Sequence, residues 1–149
     1  MRRFQWRLQR VLDVKTKEEQ IKRIELVRLT EQLTAKHGEL LLRQRVLQDL
    51  LADIRGDRSP ERLNAQEFFL RRVAVDDEQI RKLKKEIADL EVRQKEKRVE
   101  VLAIRRFKEG LEKLRTQAEE EYIHEAERIE QKESDERTAI AFVRREEGD

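Results

Sequence analysis

The chain has 149 residues, of which 46% are charged and 5% aromatic, while four are glycine and one is proline. This composition is typical of long, solvent-exposed helices and argues against a single compact globular domain. The absence of cysteine excludes disulfides and thiolate metal sites, and the net charge of +2 excludes a polycation that binds nucleic acid through overall charge.

The charges are distributed unevenly along the chain. Residues 1–10 carry four arginines and no acid, whereas the stretch 109–136 is strongly acidic. No apolar run approaches the roughly 18 to 20 residues that span a bilayer, and the N-terminus lacks the apolar region of a signal peptide. We therefore expect a cytoplasmic protein without direct membrane insertion.

Apolar residues recur every seven positions in the first third of the chain, which is the pattern of a coiled-coil seam. The repeat lies at Leu26, Leu33, Leu40, Leu47 and Ile54, and it extends back to Leu12 and Leu8 across a polar gap at Lys15, Glu19 and Lys22. A second seam follows at Ile80, Leu83, Ile87, Leu90, Val101, Ile104 and Leu111, with its own polar gap at Gln94 and Lys97. The sequence thus predicts two long helices.

A short break separates the two seams. Gly56 can end the first helix, Ser59 is a good N-cap, and Pro60 suits the first position of the second helix. Asn64 and Glu67 offer a rival capping box, so the start of the second helix is open by about a turn. We predict a first helix over 1–55 and a hairpin turn over 56–60.

An antiparallel pairing of Leu33 with Leu83 also brings the two polar gaps together, so that Glu19 faces Lys97. Because a slip by one heptad would set polar residues against leucines, this register is the one we predict. The predicted fold class is all-α, with two long helices in an antiparallel coiled-coil hairpin. The paired part of the second helix is 61–110, and 111–149 is an acidic, unpaired C-terminal helical overhang.

The overhang has too few apolar residues to form a core. They are Leu111, Leu114, Ala118, Tyr122, Ile129, Phe142 and Val143. An isolated helix is stable chiefly when one face is packed, so we expect a partner to cover this one.

Nothing in the sequence predicts catalysis. Glu121 and His124 have half the spacing of a di-iron helix-bundle site, but no second copy is visible, and Arg128 stands where a zincin would have its second histidine. His37 lies outside the seam. We expect no enzyme activity, no cofactor, no metal and no small-molecule substrate.

The opening "MRRFQWRLQR" interleaves arginines with aromatics, as some nucleic-acid-binding segments do, but acidic residues follow at once. A protein partner is favoured over nucleic acid or a membrane surface. A generic coiled-coil scaffold and a nucleic-acid-binding rod remain the alternative functions.

Two stretches carry a family resemblance. The start "FQWRLQRVLDVKTKEEQIKRIEL" and the late segment "EAERIEQKESDERTAIAFVRR" resemble the flagellar export protein family FliJ. Its aromatic-Arg-Leu-Gln-x-Val-Leu-Asp opening corresponds to Phe4–Asp13. Its Glu-Gln-Lys-x-x-Asp-Glu signature corresponds to Glu130, Gln131, Lys132, Asp135 and Glu136.

The resemblance implies an antiparallel coiled coil similar to the central stalk of rotary ATP synthases. The partners it implies are the ring of the export ATPase FliI, the export gate FlhA and export chaperones. It also implies a position on the inner face of the cell membrane, at the export apparatus. The equivalent stalk of a virulence secretion system is a close variant, which the "RLQRVLD" signature disfavours.

The resemblance further implies two groups of contact residues. Those that would meet the ATPase ring are Phe4, Trp6, Arg7, Leu8, Arg10 and Val11 together with Glu130, Gln131, Lys132, Asp135, Glu136 and Phe142. The contact with the gate would involve an aromatic shortly after the turn, which falls on Phe68, with Phe69 and Val73 beside it. Arg72, one turn after Phe68, departs from the family pattern.

Overall fold

A computed structural model describes residues 3–56 and 60–148 of the chain, and over these residues it contains two long helices and no strand. Helix α1 is Gln9–Gly56 and helix α2 is Arg62–Glu147. The prediction of an all-helical protein with two long helices is therefore confirmed.

Helix α1 begins later than the sequence suggested, at Gln9 rather than at residue 1. The Gln9 amide donates to the carbonyl of Trp6 at 3.2 Å, and the Leu12 amide donates to the carbonyl of Leu8 at 3.1 Å. The described residues before this point are not helical. Residues 1–8 contain no Ser, Thr, Asp or Asn, so they offer none of the side chains that most often cap an earlier helix start.

Helix α2 begins at Arg62, between the two predicted starts. Its first hydrogen bond runs from the Ala65 amide to the Glu61 carbonyl at 3.0 Å, so Pro60 precedes the helix instead of occupying its first position. Asn64 lies inside the helix, which makes the rival capping box wrong as well. Ser59 and the predicted turn residues 57–58 lie outside the described residues.

The residues divide into two compact units, of which unit 2 is Gln20–Leu102. Among the described residues of unit 2, four of the contacts that join α1 to α2 have partners that run in opposite order along the two helices. They join Lys36 to Glu86 at 2.9 Å, Thr30 to Gln94 at 3.0 Å, Glu25 to Lys97 at 2.8 Å and Lys22 to Glu100 at 3.2 Å. The buried apolar side chains of this unit are Leu33, Ile80, Leu83, Ile87 and Val101.

These contacts correct the predicted register. In the predicted register, which pairs Leu33 with Leu83, Lys22 faces Gln94; in the structure the Lys22 ammonium group pairs instead with Glu100, so the helices meet about one heptad away from the predicted alignment. The expected penalty for such a slip does not arise, because a lysine can lay its methylene stem across an apolar seam and carry its charge to the edge. The Lys97 side chain is only 21% exposed, yet its ammonium group reaches both Glu25 and Glu100.

Unit 1 comprises Met1–Glu19 and Ala103–Asp149. Leu12 and Leu111 are both buried, and the rings of Phe4 and Tyr122 lie 5.4 Å apart. Contacts with α1 therefore continue along α2 beyond residue 110, where the paired part was predicted to end. The correction follows from the register, since a shift of about one heptad brings later residues of α2 against α1.

The last half-buried residue of α2 is Ala126, and every described residue from Glu127 onward is exposed. We call residues 127–148 the C-terminal exposed segment. It is the part of the predicted overhang that the structure leaves without cover from α1. Neither helix contains, within the described residues, a stretch long and apolar enough to cross a membrane.

Replacing Leu33 by alanine should lower the free energy of unfolding by about 2 kcal/mol, the lower end of the usual range, because a two-helix seam leaves only a shallow cavity. Leu33 is 6% exposed, whereas Leu42 on the same helix is 64% exposed and supplies a matched control. Leu42→Ala should change stability by less than about 0.5 kcal/mol. Urea unfolding followed by circular dichroism measures both, and equal losses in the two variants would contradict this assignment of the core.

Candidate protein-binding surfaces

The predicted ring-contact residues fall into an N-terminal group on residues 4–11 and a C-terminal group on residues 130–142. In the N-terminal group, Phe4 packs against Tyr122, and the guanidinium of Arg115 lies 6.0 Å from the Phe4 ring. Arg115 also donates to the side-chain carbonyl of Gln9 at 2.8 Å. Phe4 is therefore partly engaged within unit 1, where it fixes the chain that leads into α1.

The rest of the N-terminal group divides by exposure. Trp6 and Leu8 are half-buried, whereas Arg7 and Arg10 are exposed. Val11 is 40% exposed. The two arginines thus offer their charges to solvent, while the apolar residues of the group are partly covered.

The C-terminal group lies entirely in the C-terminal exposed segment. Its members are Glu130, Gln131, Lys132, Asp135, Glu136 and Phe142. Gln131 donates to Asp135 at 3.2 Å, a contact one turn along the same helix, and Phe142 is 62% exposed. Residues 4 and 9 of the chain contact α2 at Tyr122 and Arg115, before this group begins.

Four large apolar side chains of the C-terminal exposed segment are at least half exposed: Ile129, Ile140, Phe142 and Val143. Ile129, Ile140 and Val143 are separated by eleven and three residues, so they share one face of the helix. Glu136 lies on the same face, seven residues from both Ile129 and Val143, and Glu130 and Asp135 lie to either side of it. A helix face that combines apolar side chains with carboxylates is suited to a partner protein that covers the apolar residues and supplies basic ones.

The predicted gate-contact residues differ in how far they are exposed to solvent. Phe68 is 60% exposed, whereas Phe69 and Val73 are half-buried. Of the three, Phe68 presents the most ring surface to a partner. Arg72, the departure from the family pattern, pairs with the buried Asp76 at 3.4 Å and so has a role within unit 2.

Two exposed leucines near Phe68 were missed by the sequence reasoning. Leu63 is 77% exposed and Leu70 is 68% exposed. They lie seven residues apart, on a face of α2 that is separate from the seam. Their seven-residue spacing could have indicated these two leucines from the sequence. The prediction considered only the heptad positions of the seam.

A cluster of four charges on Lys22, Glu25, Lys97 and Glu100 lies within unit 2. The hydrogen bond from Lys97 is the main reason why the pKa values of Glu25 and Glu100 are lowered from 4.5, and the same bonds raise the pKa of Lys97. A hydrogen bond from Lys36 likewise lowers the pKa of Glu86. These pairs lie at the solvent-accessible edge of the seam, where ion pairs contribute little to stability.

Glu19 is the second finding that the sequence did not foresee. It was expected to face Lys97, but its carboxylate lies 3.4 Å from Nε of Arg105 and 3.3 Å from Nζ of Lys108. The residue is only 5% exposed. Burying a carboxylate is costly unless cations lie nearby, and Arg105 and Lys108 place two cations beside Glu19.

The histidines do not form a metal site in the part of the chain that the structure describes. No group of three or more His, Cys, Asp or Glu side chains there is arranged to hold a metal ion. His124 is exposed on α2, and His37 Nε2 lies 3.8 Å from a carboxylate oxygen of Glu91. The surfaces above are therefore the candidate functional sites.

These features define a class of protein: two long, charge-rich helices with an uncovered apolar and acidic end that suits a protein partner. The family model described as flagellar FliJ protein matches residues 4–147, and the chain belongs to this family. Comparison with curated proteins and with solved structures gave no match. Membership associates the chain with the flagellar protein export apparatus, within a family of non-catalytic components.

The lowered carboxyl pKa values predict an acid-sensitive contribution to stability. Because Glu25, Glu86 and Glu100 have pKa values below 4.5 in the folded chain, their contribution is present above about pH 4.5. It is lost as the pH falls through the lower, folded-state values. Lys97→Met removes the main cause of the lowered pKa values of Glu25 and Glu100. The Tm of this variant should therefore fall less between pH 7 and pH 3 than the Tm of the parent.

Lys95→Met is the matched control for this measurement, since Lys95 is exposed on the same helix. It should reproduce the parent's acid-induced loss of Tm. An equally large loss in the Lys97 variant would show that the four-charge cluster is not responsible. Circular dichroism melts at constant ionic strength make the comparison.

Proposed function

We propose that α1 and α2 form an antiparallel coiled-coil hairpin that acts as a non-catalytic stalk in flagellar export. Its terminal end would bind the ring of the export ATPase FliI, and the region around Phe68 would bind the export gate FlhA. The proposal rests on family membership, on the opposite order of the contacts between the helices within each unit, and above all on the uncovered C-terminal exposed segment.

Binding through the C-terminal exposed segment has a clear energetic basis. Covering an apolar side chain such as Ile129 or Phe142 contributes about 1.5 to 3 kcal/mol if burial is complete. The neighbouring carboxylates favour a basic partner surface and steer the encounter. The exposed Arg7 and Arg10 of unit 1 add charges of the opposite sign, so a ring surface that carries both signs would be recognised most selectively.

A protein without a catalytic site can change an ATPase only through binding. If the stalk prefers the assembled ring over separate subunits, its binding free energy shifts the equilibrium toward the ring and so raises turnover. The same reasoning leaves export chaperones as further partners, which the family resemblance implies. A chain bound to the gate would lie at the inner face of the cell membrane.

Reversing two charges of the C-terminal group, Asp135→Lys with Glu136→Lys, should weaken binding to the FliI ring by roughly tenfold, or about 1.4 kcal/mol. Stimulation of ATP turnover should fall in parallel. Both side chains are exposed, so Tm should not change. Titration of the ring with each variant, followed by a turnover assay, measures the effect.

Asp77→Lys with Glu78→Lys reverses the same residue types in unit 2 and serves as the control, because both residues are exposed there. It should leave ring binding unchanged. If the parent protein alters neither ring assembly nor hydrolysis, the stalk proposal fails. Equal weakening by both double variants would mean that net charge, and not the C-terminal group, determines binding.

At the other proposed contact, Phe68→Ala should weaken binding to the cytoplasmic domain of FlhA while leaving Tm unchanged, because its ring is 60% exposed. Phe69→Ala should instead lower Tm, because its ring is half-buried. Phe107 is 53% exposed in unit 1, so Phe107→Ala is a matched control that should bind the gate normally. Normal gate binding by the Phe68 variant would refute this contact.

A further inference from the structure

Within unit 1, Glu19 occupies a seam position at which most other members of the heptad repeat are leucine. It follows Leu12 by seven residues and precedes Leu26 by seven. Both its burial and its two cationic partners, Arg105 and Lys108, come from α2 lying against it. A buried charge at a seam position can specify the register of two helices.

A competing register exists in this sequence. Pairing Leu33 with Leu83 also sets apolar residues of the two seams against each other: Leu12 against Ile104, Leu26 against Leu90 and Leu47 against Phe69. The two alignments differ by about one heptad. The apolar pattern alone therefore does not select between them, and another interaction has to.

We propose that Glu19, held by Arg105 and Lys108, selects the register of α1 against α2 that unit 1 displays. In the observed register the buried carboxylate has two cations. In the competing register Glu19 would face Lys97. The register is therefore set by which cations Glu19 can reach. Removing both cations takes most of the compensation from a buried charge, and sliding of the helices can supply it again.

The register also positions the terminal residues. In the observed contacts Phe4 lies beside Tyr122, whereas in the competing alignment it would face residue 112. Glu19 is thus a positioning residue for the end of unit 1, although it is itself buried and unavailable to a partner.

The test removes the cations and not the acid. Arg105→Gln with Lys108→Gln should shift the helices by seven residues, so that Glu19 gains Lys97. At ~1.5 Å per residue this is a slide of about 10 Å. Because the chain has no native cysteine, spin labels on cysteines at the exposed positions Lys17 and Glu127 report it as a distance that lengthens by about 10 Å.

Adding Glu19→Gln to that variant removes the charge that drives the shift. Because the apolar pattern alone does not select a register, both the short and the long distance should then be present. Arg106→Gln with Lys113→Gln removes the same charges from exposed positions of α2 and should leave the distance unchanged. An unchanged distance in the Arg105 and Lys108 variant overturns the proposal. If that variant fails to fold, the added Glu19→Gln has to restore helicity, with both the short and the long distance present, and its failure to do so also overturns the proposal.

Discussion

The packing of the two helices depends on how charged side chains are accommodated at seam positions that lie among apolar residues. Lys22 and Lys97 lie at seam positions, yet their ammonium groups reach carboxylates at the edge. The stems then cover apolar neighbours while the charges stay hydrated. This arrangement lets a chain with 46% charged residues pack long helices without a large apolar core. It also permits registers that an apolar pattern alone would disfavour.

The register has a direct consequence for the binding surfaces. Because later residues of α2 meet α1, Leu111 is buried and Tyr122 contacts Phe4, and intramolecular cover ends at Ala126. The uncovered part is therefore shorter than the sequence suggested, and it coincides closely with the family signature that begins at Glu130. Residues that bind a partner are expected to lie where the chain's own packing stops, which agrees with the proposed role of this signature.

The sequence was sufficient for the helices and for the place where they are interrupted, since period-seven leucines and a lone proline are local signals. It failed for the register because the pairing argument treated lysine as a point charge that must avoid leucine. It failed for Glu19 for the same reason, since the partner of a buried charge is set by the alignment and not by local spacing. Exposure within the gate-contact group, which separates Phe68 from Phe69, also depends on tertiary packing.

The residues that hold the chain together are largely different from those offered to partners. Leu33 and Glu19 are buried, whereas Phe68 and Phe142 are exposed and are flanked by charges. Charged residues placed between exposed apolar side chains keep these side chains from forming one large apolar patch when no partner is bound. Recognition can then change at an exposed residue without loss of folding. Phe4 is different, because it packs on Tyr122 and also lies at the end of the chain that is proposed to bind the ring. At this residue folding and recognition are coupled.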